Sequence, residues 1–288
     1  MPSVLTINQI DHYALEKLIS ASTTASTYRG TDLRTGRQVA IKIPRIDVES
    51  DPLFYQRFSR EQEIAKTLDH PSIVEFIKDE TRSRVYLVME WVEGQSLRQI
   101  LNEQGKLPPK RAVSIAVNIC EALEYLHNRH VVHRDLKPEN IMVDAGDRIK
   151  LIDFGIAGLA CARRVTFGKL SEAMGTPDYI SPEQVKGKPG DARTDIYAVG
   201  VVLYEMLTGT TPFSGDNPLI VMNNRLINQP TPPREIDPGI SEELQEILYR
   251  ALERDPRNRY AKAHEFSWDL PEYHRSFEFA RRGECMCR

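Results

Sequence analysis

Apolar and polar positions change their rhythm near residue 94. Before it, "QVAIKIP" (38–44) alternates and is rich in branched side chains, and "RVYLVMEWV" (84–92) is a second apolar strand pattern. Between them, "DPLFYQRFSREQEIAKTL" (51–68) places Phe54, Phe58, Ile64, Ala65 and Leu68 at near-helical spacing, with Asp51 and Pro52 as a helix start. After Gly94 the pattern is helical. "LPPKRAVSIAVNICEALEYLHNRH" (107–130) puts Ala112, Ile115, Ala116, Ile119, Cys120, Leu123 and Leu126 on one face, opens on prolines and closes on basic residues. "IMVDAGDRIKLID" (141–153) is two short apolar runs around Ala-Gly-Asp, which predicts a hairpin. Further helices are predicted at about 195–208, 217–228, 241–253 and 262–270. The proline-rich "NQPTPPREIDP" (228–238) reads as an inter-helix loop, with a polyproline ligand as the alternative. The outline is an α+β chain: a small strand-rich lobe over 1–90, a hinge over 91–94, a larger helical lobe over 95–273, and a tail over 274–288.

Composition narrows the function. The chain has 288 residues, 41% hydrophobic and 27% charged, enough for one large domain or two lobes sharing a cleft. The net charge of −3 gives no basic excess asking for nucleic acid. The longest apolar run, "YAVGVVLYEML" (197–207), is too short for a membrane span and contains Glu205. The start "MPSVLTINQIDHYAL" has neither the basic opening nor the apolar stretch of a signal peptide. Cys120, Cys161, Cys285 and Cys287 follow no zinc or disulfide spacing, so a reducing cytoplasm is expected. The tail pair, Cys285 and Cys287, reads as a frayed terminus rather than a metal site.

The chemistry concentrates in two short motifs. "HRDLKPEN" (133–140) falls between a helix and the hairpin, on a loop held by rigid elements. Phosphoryl transfer needs a carboxylate at the attacking hydroxyl and oxygen ligands for magnesium. Asp135 and Asn140 offer both from one loop, and Lys137 between them can sit against the migrating phosphate. "DFG" (153–155) lies at the far end of the hairpin, which can return Asp153 beside Asn140.

These motifs resemble a known family. "VAIK" (39–42), "HRDLKPEN", "DFG", "GTPDYISPE" (175–183), "TDIYAVGVVLYEMLTG" (194–209) and "DPRNRY" (255–260) occur in the order found in eukaryotic-type protein kinases of the serine/threonine kind, widespread in bacteria. The resemblance covers about residues 13–270. It implies the bilobal protein-kinase fold, ATP as phosphate donor, magnesium (or manganese) as the ion, and protein serine or threonine hydroxyls as acceptors. Asp135 would be the catalytic base, and Asn140 and Asp153 the metal ligands. Lys42 would bind the α- and β-phosphates. It is the only charge in "VAIKI", so it is expected to point into a site. Its ion-pair partner would be Glu61, with Glu63 as the alternative. In the hinge "MEWVEG" (89–94), the Glu90 carbonyl and the Val92 amide would hold adenine, with Met89 behind it. Ile19, Thr27, Ala40 and Met142 would sandwich the ring. Asp195 would bond the catalytic-loop backbone, and Glu183 would pair with Arg259. Lys137 and Thr176 mark the serine/threonine branch. Arg134 would pair with a phosphate on the activation segment (about 153–183), where Thr166 and Ser171 are the candidates beside Arg163, Arg164 and Lys169. Self-association for autophosphorylation follows from that reading, and the chain could be the cytosolic part of a longer membrane receptor.

One motif departs from the family. Where G-x-G-x-x-G-x-V is expected, "ISASTTASTYRG" (19–30) has Ser20, Ser22 and Ala25 at the glycines and Thr27 at the valine. Strained replacements there would cost about 1–3 kcal/mol each. Small hydroxylated residues can replace lost amide contacts, so the expected net loss is on the order of tenfold in ATP affinity. The alternatives are a pseudokinase scaffold that binds partners, and a kinase-like enzyme acting on a small molecule. The peptide-docking "GTPDYISPE" speaks against the second.

Overall fold

A computed structural model describes residues 9–22, 25–45, 67–78, 82–153, 177–188 and 190–270. Residues 51–66 of the expected helix, with Glu61 and Glu63, the sites Thr166, Ser171 and Thr176, the basic residues Arg163, Arg164 and Lys169, and the tail cysteines lie outside the described residues, as does Cys161. The chain divides into two compact units between Glu93 and Gly94.

The first unit is built on a five-stranded antiparallel sheet in sequential order: β1 (Gln9–Ile10), β2 (Tyr13–Ala21), β3 (Ala25–Asp32), β4 (Gln38–Pro44) and β5 (Leu87–Glu90). Alternation along β4 explains its two faces. Val39, Ile41 and Ile43 are buried with Ile10, Tyr13, Tyr86 and Val88 in the core of the unit, while Ala40 and Lys42 point the other way. The run 84–92 gives a shorter strand than its pattern suggested. The Tyr86 carbonyl receives the Arg82 guanidinium instead of a strand partner, and the same guanidinium reaches the Ile77 carbonyl at 3.2 Å.

The stretch 19–30 supplies the end of β2 and most of β3 rather than a glycine loop. Ser22 closes the connection: its amide donates to the Ala25 carbonyl at 2.8 Å, and its Oγ accepts the Ala25 amide at 3.0 Å. Ser20, Ser22 and Ala25 all keep φ outside the positive region, so none of the three carries the strain that a glycine would relieve. The one glycine of the stretch has another reason. A Cβ on Gly30 would lie 2.2 Å from the Ala14 carbonyl oxygen on β2, so the close approach of β2 and β3 requires its absence.

The second unit pairs β6 (Gln95–Ser96), β7 (Ile141–Val143) and β8 (Ile149–Leu151) in a small antiparallel sheet, and its other described elements are helices and 3-10 turns. Its helices are α1 (Leu97–Gln104), α2 (Pro109–His127), α3 (Pro182–Val185), α4 (Ala192–Thr208), α5 (Pro218–Ile227), α6 (Pro233–Ile236), α7 (Glu242–Ala251) and α8 (Ala263–Asp269). Helix α4 is buried on every side from Thr194 to Thr208, which makes it the central post of the unit. The apolar face of α2 packs on it, and α7 and α8 cover it further. Helices α1 and α3 were not expected from periodicity. Both begin at a reciprocal capping box, Ser96–Gln99 and Ser181–Gln184. The proline-rich run holds the one-turn α6, with Pro233 at its start.

Candidate active site

The loop bearing His133 to Asn140 runs from the end of α2 to β7, and α4 fixes where it begins. Asp195, in the first turn of α4, accepts the backbone amides of His133 and Arg134, each at 2.8 Å. His127, in the last turn of α2, places Nε2 2.8 Å from the same carboxylate. These bonds hold Arg134 at a φ of +65°, a left-handed conformation that costs a non-glycine residue roughly 1–2 kcal/mol. His133 is fully buried, and desolvation pushes its imidazole below the ordinary value, so it stays neutral.

Three polar side chains then converge. Lys137 Nζ lies 3.0 Å from Asp135 Oδ2. Asn140, in the 3-10 turn Pro138–Asn140, donates through Nδ2 to the Asp135 carbonyl at 2.8 Å and to Asp135 Oδ2 at 3.1 Å. These bonds orient the amide: its nitrogen is committed to Asp135, and its oxygen faces away from it. The β7–β8 hairpin brings the chain back, because the Ile152 amide donates to the Asn140 carbonyl at 2.9 Å. Asp153 follows directly, at a φ of +95°. An amide oxygen and a carboxylate are hard donors of the kind a magnesium-sized cation takes, so the residues present fit such an ion.

In the first unit, strand register gathers the other expected residues. Thr27 pairs with Lys42, Lys42 with Leu87, and Ala40 with Met89. Cross-strand partners share a face, so Ala25, Thr27, Ala40, Lys42 and Met89 lie on one side of the sheet, and Ser20, paired with Thr27, joins them. Ile19 falls where the β2–β3 register shifts and is 46% exposed. The Glu90 amide donates to the Glu75 carbonyl at 2.9 Å, and Val92 is half-buried beyond β5. Met142 belongs to the second unit, on β7, opposite Ser96 and Lys150.

Glu183 and Arg259 form a bidentate pair, with both nitrogen–oxygen distances 2.8 Å. The Thr194 hydroxyl donates to Glu183 at 2.8 Å, and the guanidinium lies over the Tyr197 ring. Burial alone would raise the Glu183 carboxyl, but Arg259 and Thr194 together bring it below the ordinary carboxylate range. Sequence reasoning missed a second ion pair, one whose carboxylate, Glu205, is buried. Arg98 on α1 joins Glu205 on α4 at 2.8 Å, Glu139 of the loop bearing His133 to Asn140 at 3.0 Å, and the Tyr179 hydroxyl. The signal was present: Glu205 is the lone charge in "YAVGVVLYEML", and a buried carboxylate demands a partner.

Residues 13–267 match the model of the protein kinase domain. The chain belongs to the protein kinase family. It is 40% identical over 269 residues to the serine/threonine-protein kinase PknB of Mycobacterium leprae, an alignment covering 92% of this chain and 43% of that protein. It is 39% identical over 270 residues to the probable serine/threonine-protein kinase PknB of Corynebacterium glutamicum, covering 90% and 42%. The chain thus spans less than half the length of these relatives. Among solved structures, a double-mutant form of the Mycobacterium tuberculosis PknI kinase domain superposes with a TM-score of 0.74 at 25% identity, covering 94% of this chain and 99% of that one. The fold is the protein-kinase fold, with a strand-rich first lobe and a helical second lobe. Family membership carries with it the use of ATP and a divalent cation. Among the described residues, no helix is long and apolar enough to cross a membrane.

Proposed function

We propose that this kinase domain transfers the γ-phosphate of ATP to serine or threonine hydroxyls of proteins, with magnesium as the cation. The observation that carries the reading is the Asp135–Lys137–Asn140 cluster on a loop anchored to α4. Asp135 takes the acceptor hydroxyl's proton as its oxygen bonds to the γ-phosphorus. The bond from that phosphorus to the bridging oxygen breaks, and ADP leaves. Lys137, already paired with Asp135, offers a cation to the transferring phosphoryl group. Asn140 and Asp153 would hold the cation, which neutralises charge on the phosphate oxygens when bound. Lys42 takes the α- and β-phosphates, with Glu61 as its partner. The sheet face bearing Thr27, Ala40 and Met89 meets the adenine together with Ile19, while the Glu90 carbonyl and Val92 amide give its polar contacts. Ser20, Ser22 and Ala25 stand at the phosphate-loop positions, none with positive φ, and the Ser22 hydroxyl accepts the Ala25 amide there. Lys137 and Thr176 favour an aliphatic hydroxyl as acceptor.

Regulation follows from Arg134, which we assign to a phosphate on Thr166 or Ser171, added by self-association of two copies. The expected setting is the cytoplasm. Phosphate transfer from labelled ATP with magnesium, to itself or to a protein acceptor, tests the reading. Transfer should fall by about 100-fold or more in Asp135→Asn, the scale of a lost general base. A folded wild-type protein that binds ATP and transfers nothing would leave the pseudokinase scaffold in its place.

A further inference from the structure

The catalytic loop is tied to α4 at both of its ends, by different means. At the start, Asp195 takes the amides of His133 and Arg134 directly. At the finish the link is indirect. Glu139, the residue before Asn140, bonds Arg98 Nε at 3.0 Å, and Arg98 Nη1 bonds Glu205 Oε1 at 2.8 Å. Asp195 and Glu205 stand ten residues apart on one helix, about 15 Å along its axis. Helix α4 is encased on all sides, so both attachment points share one rigid body. Arg98 serves a third element as well. Its Nη2 donates to the Tyr179 hydroxyl, which in turn donates to Glu205 Oε2. Tyr179 ends the turn Pro177–Tyr179, which leads through Ser181 to Glu183. One guanidinium therefore meets the catalytic loop, the central helix and the 177–183 segment. A planar fork reaches these three contacts from three separate nitrogens, Nε, Nη1 and Nη2, whereas an ammonium would have to draw all three partners to one nitrogen.

We infer that Arg98 is a positioning residue for phosphoryl transfer: through Glu139 it fixes the Asn140 end of the catalytic loop against α4, in register with the Tyr179 segment. It touches no reactant. Its effect is to hold Asn140 where the amide oxygen faces away from Asp135, and Asp135 where Asn140 and Lys137 meet it. The inference rests on the kinase reading above, so the test first requires measurable transfer by the wild-type chain. Without that transfer, the kinase reading fails, not this one.

The informative variant is Glu139→Ala, because it leaves the Arg98–Glu205–Tyr179 contacts in place and cuts only the arm to the loop. With a neutral acceptor peptide, kcat should fall about tenfold, while the KM for ATP and the melting temperature stay near wild type. Arg98→Ala should lose at least as much kcat, and Arg98→Lys should recover only part of it. In the double variant Arg98→Ala, Glu139→Ala, the kcat losses should not multiply, since both changes cut one connection. Four results would each overturn the inference: multiplying losses; an unchanged kcat in Glu139→Ala; full rescue by lysine; or a rise in peptide KM alone, which would make Glu139 a substrate contact. If Arg98→Ala does not fold, Glu139→Ala and Arg98→Lys decide the matter.

Discussion

Asp195 receives the backbone amide of Arg134 at 2.8 Å while Arg134 holds a φ of +65°. The bond and the strain belong together, because a left-handed arginine persists only where its surroundings fix it. Asp195→Ala removes a charged acceptor from two amides and from His127. Hydrogen bonds to charged groups contribute about 1.5–3 kcal/mol each, so a loss of about 3 kcal/mol or more is expected in denaturant unfolding. Turnover per folded molecule should also fall, because the loop that carries Asp135 loses its anchor. A stability loss with unchanged turnover would reduce Asp195 to a purely structural residue.

The Glu183–Arg259 pair makes a prediction about acid. The Glu183 carboxyl is lowered in the folded state from its ordinary value of 4.5. Stability from a lowered carboxylate is present above the unfolded value and is lost as pH falls through the folded one. Wild type should therefore lose stability more steeply below about pH 4.5 than Glu183→Gln does, as read from denaturation midpoints against pH. At neutral pH, Arg259→Met should cost about 3–5 kcal/mol, because it leaves a buried carboxylate unpaired. Adding Glu183→Gln to it should recover part of that loss.

The glycine-free hairpin separates two effects that glycine usually combines. No strain is relieved by glycine at residues 20, 22 or 25, since none has positive φ. Closer backbone approach to phosphate is the remaining gain, at most about tenfold in affinity. The double variant Ser20→Gly, Ala25→Gly should lower the KM for ATP severalfold. Adding Ser22→Gly should return part of that gain, because it deletes the hydroxyl that closes the hairpin. An unchanged KM in the double variant would show that these side chains do not limit binding.

The Arg134 assignment predicts phosphorylation at Thr166 or Ser171. A phosphate supplies charge-assisted hydrogen bonds, and losing one at about 1.5 kcal/mol lowers activity roughly tenfold. The variant Thr166→Ala, Ser171→Ala should show such a fall, and phosphopeptide mapping of wild type should place the label on one of the two. Full activity in the variant would remove the assignment.

Local chemistry made the Asp135–Lys137–Asn140 cluster readable in advance. A turn of sequence between α2 and β7 carries Asp135, Lys137 and Asn140, and a short hairpin must return Asp153 to Asn140. The Arg98 network was not readable in that way. Its members come from four separate parts of the chain, and no spacing rule links residue 98 to 139, 179 and 205. The Ser22–Ala25 bonds were not readable either, because a family pattern gives positions for the loop but not the strand pairing, which runs to Ala21 opposite Ser26.

Residue order and local periodicity by themselves determined the kinase motifs, the β7–β8 hairpin and the burial of α2 and α4. Those features depend on neighbours within a turn or two of chain. Tertiary structure alone decided that Arg98 meets Glu205; Arg259 with Glu183 and Asp195 with the loop amides follow from no local rule and were expected only from the family resemblance. Burying a charge is tolerated only when packing delivers a partner to hydrogen-bond distance, and that partner can sit anywhere in the sequence.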